Sequence, residues 1–421
     1  MDYKKVIWKL TDICRGQLES KDAIDIISTV IACASLDKER FRSIANMGSS
    51  SITLALENMM TDLQGEQPKA FEGAFPIAKL EERTLATIVY EITDISDLRP
   101  FSEAIHEVLM NATGKRAGEY STSDYMLKLL PALVGDASGL KLLDATSGLA
   151  RTASKIASSS TTLQEINLST VSLSQRLFII QGKEQVIFQG DSLLHPQWRE
   201  DKFDLVVMQP PLSMRLQNET CEQIKEMPYV FIKDKDVPRT GGDVVWIQFV
   251  LHQLNNTGKG YLILPQGSLF RGGYDGLVRD YLLDNELVDS VVALPAGSLS
   301  HTGIAPVLLV LSKGKQKGSP IRFVDLTDIG SKERNGVKLS DKDLEYAVGL
   351  VNGDIDEADK TLDISVREIR QTTGNLLNVA RYIQVEEQIE LPSVEEKMKE
   401  LEQATTEFQK YQSELLSLLS K

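Results

Sequence analysis

A pair of prolines directly follows a run of apolar residues, and this junction is the part of the sequence best suited to chemistry. The run covers residues 203–208, and the next four residues are Gln209-Pro210-Pro211-Leu212. Because proline lacks an amide donor and fixes φ, a buried strand cannot continue through the pair. We therefore expect a rigid loop at the carboxyl end of a strand, where open α/β sheets bind their ligands. The alternative is that the prolines only end the strand.

The segments around this loop alternate between strand patterns and helix patterns. Strands are predicted at residues 141–144, 163–167, 185–189, 204–208, 260–265, 287–294 and 306–312. Helices are predicted at residues 123–133, 151–158, 170–180, 243–254 and 274–283. This alternation indicates the α/β class, with a doubly wound, mostly parallel sheet that carries helices on both faces.

Residues 1–112 are predicted to form a separate helical domain, because apolar residues recur there at helical spacing. We find no catalytic constellation in it, and its expected roles are packing, partner contact or clamping. The polar, glycine-containing segment 111–118 marks the boundary. The expected domains are therefore 1–112, 113–385 and 386–421.

A second helical segment is predicted after Pro392. Positions at alternating steps of four and three residues form one seam, and six of the eight are apolar: Val394, Met398, Leu401, Thr405, Phe408, Gln412, Leu415 and Leu419. This repeat is typical of a coiled coil or a helical partner contact. The alternative is a surface helix packed on its own domain.

The charge balance limits the kinds of partner that the chain could bind alone. The formal net charge is −14, so we do not expect the whole surface to bind DNA or RNA without the help of a partner. Residues 341–421 hold 18 acidic and 9 basic side chains, so the other residues carry a net charge of only −5. A neutral or basic cleft can therefore exist earlier in the chain.

Cysteine and histidine usage indicates a cytoplasmic protein without a metal site. The three cysteines are far apart and form no CxxC motif, which favours a reducing compartment. None of the four histidines has a second metal-ligand residue at i+3 or i+4. We also expect neither a signal peptide nor a membrane anchor, because no apolar run has the length needed to span a bilayer.

Five segments occur in a recognisable order: WKLTDICRG at residues 8–16, GEYST at 118–122, LPQGSLFRGG at 264–273, HTGI at 301–304 and NLLNVARY at 375–382. Together they resemble the modification subunit of type I DNA restriction systems, which are S-adenosylmethionine-dependent N6-adenine methyltransferases. The resemblance covers nearly the whole chain. It implies a Rossmann-like methyltransferase domain, an N-terminal helical domain and a C-terminal partner helix.

The resemblance also implies which residues bind S-adenosylmethionine. They are Tyr120 and Thr122 in the segment over the cofactor, Asp144 and Gly148 in the loop after the first strand, Glu165 at the ribose and Asp191 at the adenine. An acidic residue at a strand end can instead be a helix cap, and this alternative applies to each of the three carboxylates.

The loop after the first strand departs from the family pattern. Where the family has glycines that let the backbone approach the cofactor, this chain has Ala150 and Arg151. A Cβ at such a place is a steric cost. The side chain of Arg151 could also fill the pocket.

The proline loop departs as well, because the family motif reads (N/D)PP(F/Y). Its first side chain and the first proline carbonyl hold the target amine, and its aromatic ring stacks on a flipped base. Gln209 keeps the amide but is one methylene longer, and a shift on the order of 1 Å can lower a rate ~100-fold. Leu212 lacks the π-face, and base stacking is worth roughly 1–3 kcal/mol.

Three functions follow as hypotheses. The first is a modification subunit that methylates adenine in duplex DNA, docked on a specificity-type subunit through its C-terminal helix. A restriction subunit or a second copy of the chain are further candidate partners. The second is a non-catalytic homologue that clamps DNA and docks partners. The third is a methyltransferase for another amine, such as a protein glutamine or an RNA base, but its substrates would not need the flanking helical segments.

Overall fold

The protein is described by a computed structural model that covers residues 1–112, 122–198, 202–300, 302–333, 336–383 and 394–419. The chain divides into two compact units, Met1–Ile383 and Gln384–Lys421. Tyr120 and the expected domain boundaries near residues 113 and 385 lie outside the described residues. The three-domain division therefore stays a prediction.

The N-terminal part is helical, as its apolar spacing predicts. Its helices are α1 Tyr3–Ile13, α2 Ser20–Leu36, α3 Lys38–Ala45, α4 Ser49–Glu66, α5 Pro68–Phe71, α6 Glu82–Thr93 and α7 Phe101–Ala112. Their apolar faces form one core around α2, in which Ile24, Ile27 and Val30 are buried.

This helical core continues into the following part of the chain. Leu173 and Leu177 of the helix Leu168–Gln181 belong to it. From the same helix, the buried Arg176 reaches Asp25 with a distance of 2.6 Å between Nη2 and Oδ2, and its Nη1 donates to the carbonyl of Ala70. A buried guanidinium is stable only when its donors are satisfied, so these bonds fix the N-terminal helices against the α/β part.

A nine-stranded sheet forms the centre of the α/β part. The strands are β1 Lys141–Asp144, β2 Ser160–Glu165, β3 Ile187–Gln189, β4 Phe203–Met208, β5 Leu254–Pro265, β6 Val288–Ala293, β7 Pro306–Ser312, β8 Ile321–Asp325 and β11 Thr361–Ile364. Their order is β11-β8-β6-β7-β5-β4-β1-β2-β3. Strands β1 to β5 pair in parallel, β7 runs antiparallel between β5 and β6, and β11 runs antiparallel to β8. The predicted mostly parallel α/β sheet is therefore confirmed.

The predicted strands account for the whole sheet except the two strands at one edge, β8 and β11. The sequence did not predict these two strands. Two further short strands, β9 Ser331–Glu333 and β10 Gly336–Lys338, pair with each other in a separate antiparallel ribbon.

Side chains alternate between the two faces of the sheet. Leu205 and Val207 of β4 pack into the core on one face, whereas Val206 and Met208 pack into the core on the other. A strand alternates its side chains in this way, so one apolar run supplies both cores. The covering helices are α8 Asp124–Val134, α9 Arg151–Lys155, α10 Leu168–Gln181, α11 Asn218–Glu226, α12 Gly242–Gln253, α13 Tyr274–Asp284, α14 Asp341–Asn352 and α15 Val366–Thr372.

The second unit contains one long helix, α16 Val394–Leu419. Of its predicted seam, Met398, Leu401, Phe408 and Leu415 are all more than half exposed. Among the residues that the structure describes, no helix is both long enough and apolar enough to span a bilayer.

Candidate active site

The carboxyl ends of β3, β2, β1 and β4 lie side by side in the sheet, and most of the predicted site residues lie there. Asp144 is the last residue of β1, and its side chain is buried. Its Oδ1 accepts a hydrogen bond of 3.1 Å from the amide of Thr146. Burial raises the pKa of Asp144 to about 7, and the nearby Glu165 charge acts in the same direction. This carboxyl group therefore titrates close to neutral pH.

The loop after β1 is held by Glu165, the last residue of β2. The amide of Gly148 donates to Glu165 Oε2 over 3.1 Å, and the amide of Asn167 donates to Oε1 over 2.9 Å. Gly148 has a φ of +52° and Ala150 a φ of +54°. The backbone at Ala150 thus adopts the left-handed region that glycine prefers, although alanine stands there.

Arg151 connects this loop to the N-terminal helices. Its side chain is only 6% exposed, and Nη2 lies 3.1 Å from Oε1 of Glu103 on α7. Nη1 donates to the main-chain carbonyl of Thr122 over 3.3 Å. The arginine that could have filled the pocket is therefore engaged with α7 and with the segment around Thr122. Nothing in the sequence distinguished Glu103 from the other acidic residues of the helical part.

Asp191 follows β3 and caps the turn after it. Its Oδ1 accepts hydrogen bonds from the amides of Leu193 and Leu194, over 2.9 Å and 3.3 Å. The next residue, Ser192, donates through Oγ to the carbonyl of Ala145 over 2.6 Å and so joins the loops after β1 and β3. Asp191 therefore caps a turn, whereas the alternative from the sequence was a helix cap. A carboxylate also has a second oxygen for a further partner.

The proline loop begins directly after β4, as predicted. The Oε1 atom of Gln209 is buried and has no hydrogen-bond partner among the described residues. Pro210 is buried and Pro211 is exposed. Leu212 is half-buried and packs against the core on one face of the sheet. The loop thus holds one amide oxygen that lacks a donor, and such an oxygen needs an explanation.

Asp243 lies near the proline loop, and the sequence did not predict a role for it. The amide of Ser213, which has a φ of +53°, donates to Oδ1 of Asp243 over 2.9 Å. Asp243 lies in the first turn of α12 and is 1% exposed. The pair of glycines before it, Gly241 and Gly242, was the sequence signal that could have drawn attention to this turn.

The structure therefore connects Gly148 to Glu165 through a hydrogen bond and Asp144 to Glu165 through charge, and it ties Thr122 to the same loop through Arg151. Asp191 lies on the adjoining loop, and residues 209–212 lie at the neighbouring strand end. Carboxylates and an amide oxygen are acceptors, so this edge suits the hydroxyl and amine groups of nucleoside-like molecules.

Comparison with known proteins identifies the family to which this sequence is similar. The sequence model of the family described as N-6 DNA methylase matches residues 101–390. The type I restriction enzyme MpnII methylase subunit of Mycoplasma pneumoniae is 28% identical over 236 residues, 53% of this chain and 43% of the relative. The MjaVIII methylase subunit of Methanocaldococcus jannaschii is 27% identical over 358 residues, 75% of this chain and 60% of the relative. The chain spans about half the length of the curated relatives it matches.

A solved structure shows the same fold. The type I restriction-modification methyltransferase subunit from Streptococcus thermophilus has a TM-score of 0.71 and is 19% identical, with 91% of this chain and 99% of that chain covered. The family indicated by the resemblance and the predicted Rossmann-like methyltransferase fold are both confirmed. Because the matched residues include every strand of the nine-stranded sheet, the chain belongs to the N-6 DNA methylase family.

Proposed function

We propose that this chain is a modification-type subunit that transfers a methyl group from S-adenosylmethionine to the N6 amine of adenine in duplex DNA. The observation that carries the proposal is the Gln209-Pro210-Pro211-Leu212 loop, which lies at the end of β4 beside the carboxylates that end or follow β1, β2 and β3. The methylase subunits among its relatives support the same reaction.

S-adenosylmethionine is held in this proposal by Tyr120, Thr122, Asp144, Gly148, Glu165 and Asp191. When bound, it supplies an activated methyl group. The space beside Gly148 supports this fit, because a Cβ built there would meet no atom within 4 Å. Glu165 already accepts a hydrogen bond from the amide of Gly148, so the same carboxylate can both orient the loop and contact the ribose hydroxyls.

The target amine is held by Gln209 and by the main-chain carbonyl of Pro210, in a loop shaped by Pro211. The buried Oε1 of Gln209 supports this role, since a buried acceptor without a donor costs about 1–3 kcal/mol. An adenine amine would supply that donor. The residues need not include a general base, because the amine loses its proton after the methyl group has been transferred.

The DNA-recognition surface is assigned to a partner, a specificity-type subunit that docks on α16. The exposed side chains of Met398, Leu401, Phe408 and Leu415 support a helical contact, because a lone helix cannot bury its apolar seam. The net charge of −14 supports the need for basic surface from another subunit. The three free, buried cysteines support a cytoplasmic site of action.

Two assays on the purified full-length protein test the proposal. Calorimetric titration with S-adenosylmethionine should give micromolar binding, and Asp144→Ala should abolish it. Methyl transfer to duplex DNA should then follow in the presence of the specificity-type subunit. Binding that Asp144→Ala leaves unchanged, or methyl transfer to protein or RNA but not to DNA, would contradict it.

A second candidate function rests on Ala150 and Arg151, which replace glycines of the family pattern. In this alternative the chain is a structural homologue that docks DNA and partners without methylating, because the loop approaches the cofactor poorly. Arg151→Gly then restores S-adenosylmethionine binding that the natural chain lacks. The matched control is Glu103→Gln, which breaks the ion pair with Arg151 but leaves the arginine in place.

A further inference from the structure

We propose that Asp243, Arg271 and Asp275 form a carboxylate–guanidinium–carboxylate cluster that positions the base-binding loop 209–212. The cluster joins the loop after β4 to the loop after β5 and fixes the residue that follows Leu212. This inference rests on the proposed function, because it assigns these residues to the placement of the target amine. They act as positioning residues and do not touch the reacting atoms.

The bonds in the cluster are short and form a continuous chain. Oδ1 of Asp243 accepts from the amide of Ser213 over 2.9 Å, and its Oδ2 accepts from Nη2 of Arg271 over 2.8 Å. Nε of Arg271 donates to Oδ2 of Asp275 over 2.7 Å. The side chains of Asp243 and Asp275 are 1% and 7% exposed. A buried carboxylate needs its donors, so Arg271 determines where Asp243 can lie.

Ser213 is the point at which this chain of bonds reaches the loop. It is one of three residues other than glycine with positive φ among those that the structure describes. A left-handed serine is unfavourable unless its surroundings hold it, and here the hydrogen bond to Asp243 does so. Gln209 lies only four residues earlier, with the rigid Pro210 and Pro211 between them. A movement of Ser213 is therefore transmitted to the Gln209 amide.

The opposite end of the cluster rests on a fixed segment. Arg271 follows the short 3₁₀ helix Gln266–Leu269 at the end of β5. The buried Arg279 donates to the main-chain carbonyls of Ser268 and Arg271, over 2.7 Å and 2.6 Å, and to that of Asn375 over 2.9 Å. Its bonds hold the backbone that presents the Arg271 guanidinium. The cluster thus transfers the rigidity of this segment to the proline loop.

The test compares Arg271→Gln with a matched control, Arg370→Gln, in the full-length protein. Arg370 also contacts two carboxylates, Asp280 and Asp284, and its side chain is 31% exposed against 37% for Arg271. Hydrogen exchange measured by mass spectrometry follows the peptide 209–216. Methyl transfer to duplex DNA is measured in parallel with the specificity-type subunit present.

We expect Arg271→Gln to speed exchange in the peptide 209–216 at least about tenfold, because the Ser213 amide loses its fixed acceptor. It should lower kcat on the order of 100-fold, as expected for a shift of about 1 Å, and leave the KM for S-adenosylmethionine unchanged. Arg271→Lys should be intermediate, because lysine keeps the charge but lacks the planar fork. Arg370→Gln should change neither the exchange nor kcat.

Two results would overturn the positioning role. One is an exchange rate of the peptide 209–216 in Arg271→Gln that equals the wild-type rate, or a rate in Arg370→Gln that rises by the same factor. The other is an unchanged kcat in Arg271→Gln beside an active wild type. If the wild type itself transfers no methyl groups to DNA, the proposed function fails, whereas the exchange measurement still decides whether the cluster fixes the loop.

Discussion

The amide of Gly148 donates a hydrogen bond of 3.1 Å to Oε2 of Glu165, and this bond joins the loop after β1 to the end of β2. Oε1 of the same carboxylate accepts from the amide of Asn167, which caps the start of α10. One side chain therefore fixes two backbone segments at the sheet edge where we place the cofactor. Its replacement should alter ligand binding more than folding.

Glu165→Gln should weaken S-adenosylmethionine binding about tenfold or more. Glutamine can still accept from the Gly148 amide but loses the charge, and hydrogen bonds to a charged group contribute about 1.5–3 kcal/mol. Titration calorimetry measures the effect. The matched control is Glu184→Gln, an exposed acidic residue before β3 that should leave the Kd unchanged. Equal affinities in both variants would remove Glu165 from the site.

Asp144 should make stability depend on pH in an unusual direction for an acidic residue. Burial raises its pKa from 3.8 to about 7, so the folded state holds a proton that the unfolded state has lost over this interval. The free energy of unfolding should therefore fall as pH rises through this window, by the linkage of proton binding to folding. Asp144→Asn should remove that fall. Denaturant titrations of both proteins from about pH 4 to about pH 8 measure the difference, and parallel curves would contradict it.

Two substitutions in the loop after β1 should shift stability in opposite directions. Ala150→Gly should stabilise the protein by up to about 1 kcal/mol, because it removes the cost of a left-handed alanine, which is roughly 1–2 kcal/mol. The gain is smaller than that cost because glycine loses more backbone entropy on folding than alanine does. Gly148→Ala should destabilise it by a similar amount through φ alone, since its Cβ would enter open space. Urea unfolding tests the signs. A stabilising Gly148→Ala would mean that the loop does not hold these angles.

The proline loop should respond to the restoration of a shorter amide. Gln209→Asn should raise kcat for methyl transfer to DNA by up to about 100-fold, because the amide oxygen moves back by about one bond length. Steady-state kinetics with duplex DNA and the specificity-type subunit measure the change. Gln209→Ala is the matched control, since it removes the amide and should be slower than wild type. A loss of rate in Gln209→Asn would show that this chain uses the longer side chain productively.

Removal of residues 394–421 should abolish co-purification with a specificity-type subunit and leave the remaining fold intact. The helix α16 belongs to its own compact unit, so its loss should not disturb the core of Met1–Ile383. Pull-down and thermal unfolding measure the two effects. A narrower variant replaces Leu401, Phe408 and Leu415 with serine and should act like the deletion. An unchanged co-purification profile would exclude α16 as the docking element.

The sequence by itself determined the elements whose causes are local. Two prolines after an apolar run had to end β4, and the alternating side chains of that run had to serve both faces of the sheet. Helical spacing gave the N-terminal helices and α16 in the same way. The ends of β1 and β4 were predicted correctly, and with them the positions of Asp144 and Gln209, whereas the strand predicted at residues 163–167 ends two residues earlier, at Glu165.

Strand pairing at the sheet edge was decided only in three dimensions. β8 and β11 are short segments within a polar region, and their strand conformation depends on pairing with β6 and with each other. Local propensity for strands is weak when the partner is distant in sequence. The sequence pattern could not reveal that these segments extend the sheet.

The tertiary structure also decided which residues form the ion pairs and hydrogen bonds around the site. Arg151 contacts Glu103 across 48 positions, Asp243 contacts Ser213 across 30, and Arg176 contacts Asp25 across 151. Each pair depends on the packing of helices against the sheet, because an ion pair or hydrogen bond gains strength only where burial excludes water. The residue types therefore follow from the sequence, whereas the contacts that hold the candidate site in place follow from the fold.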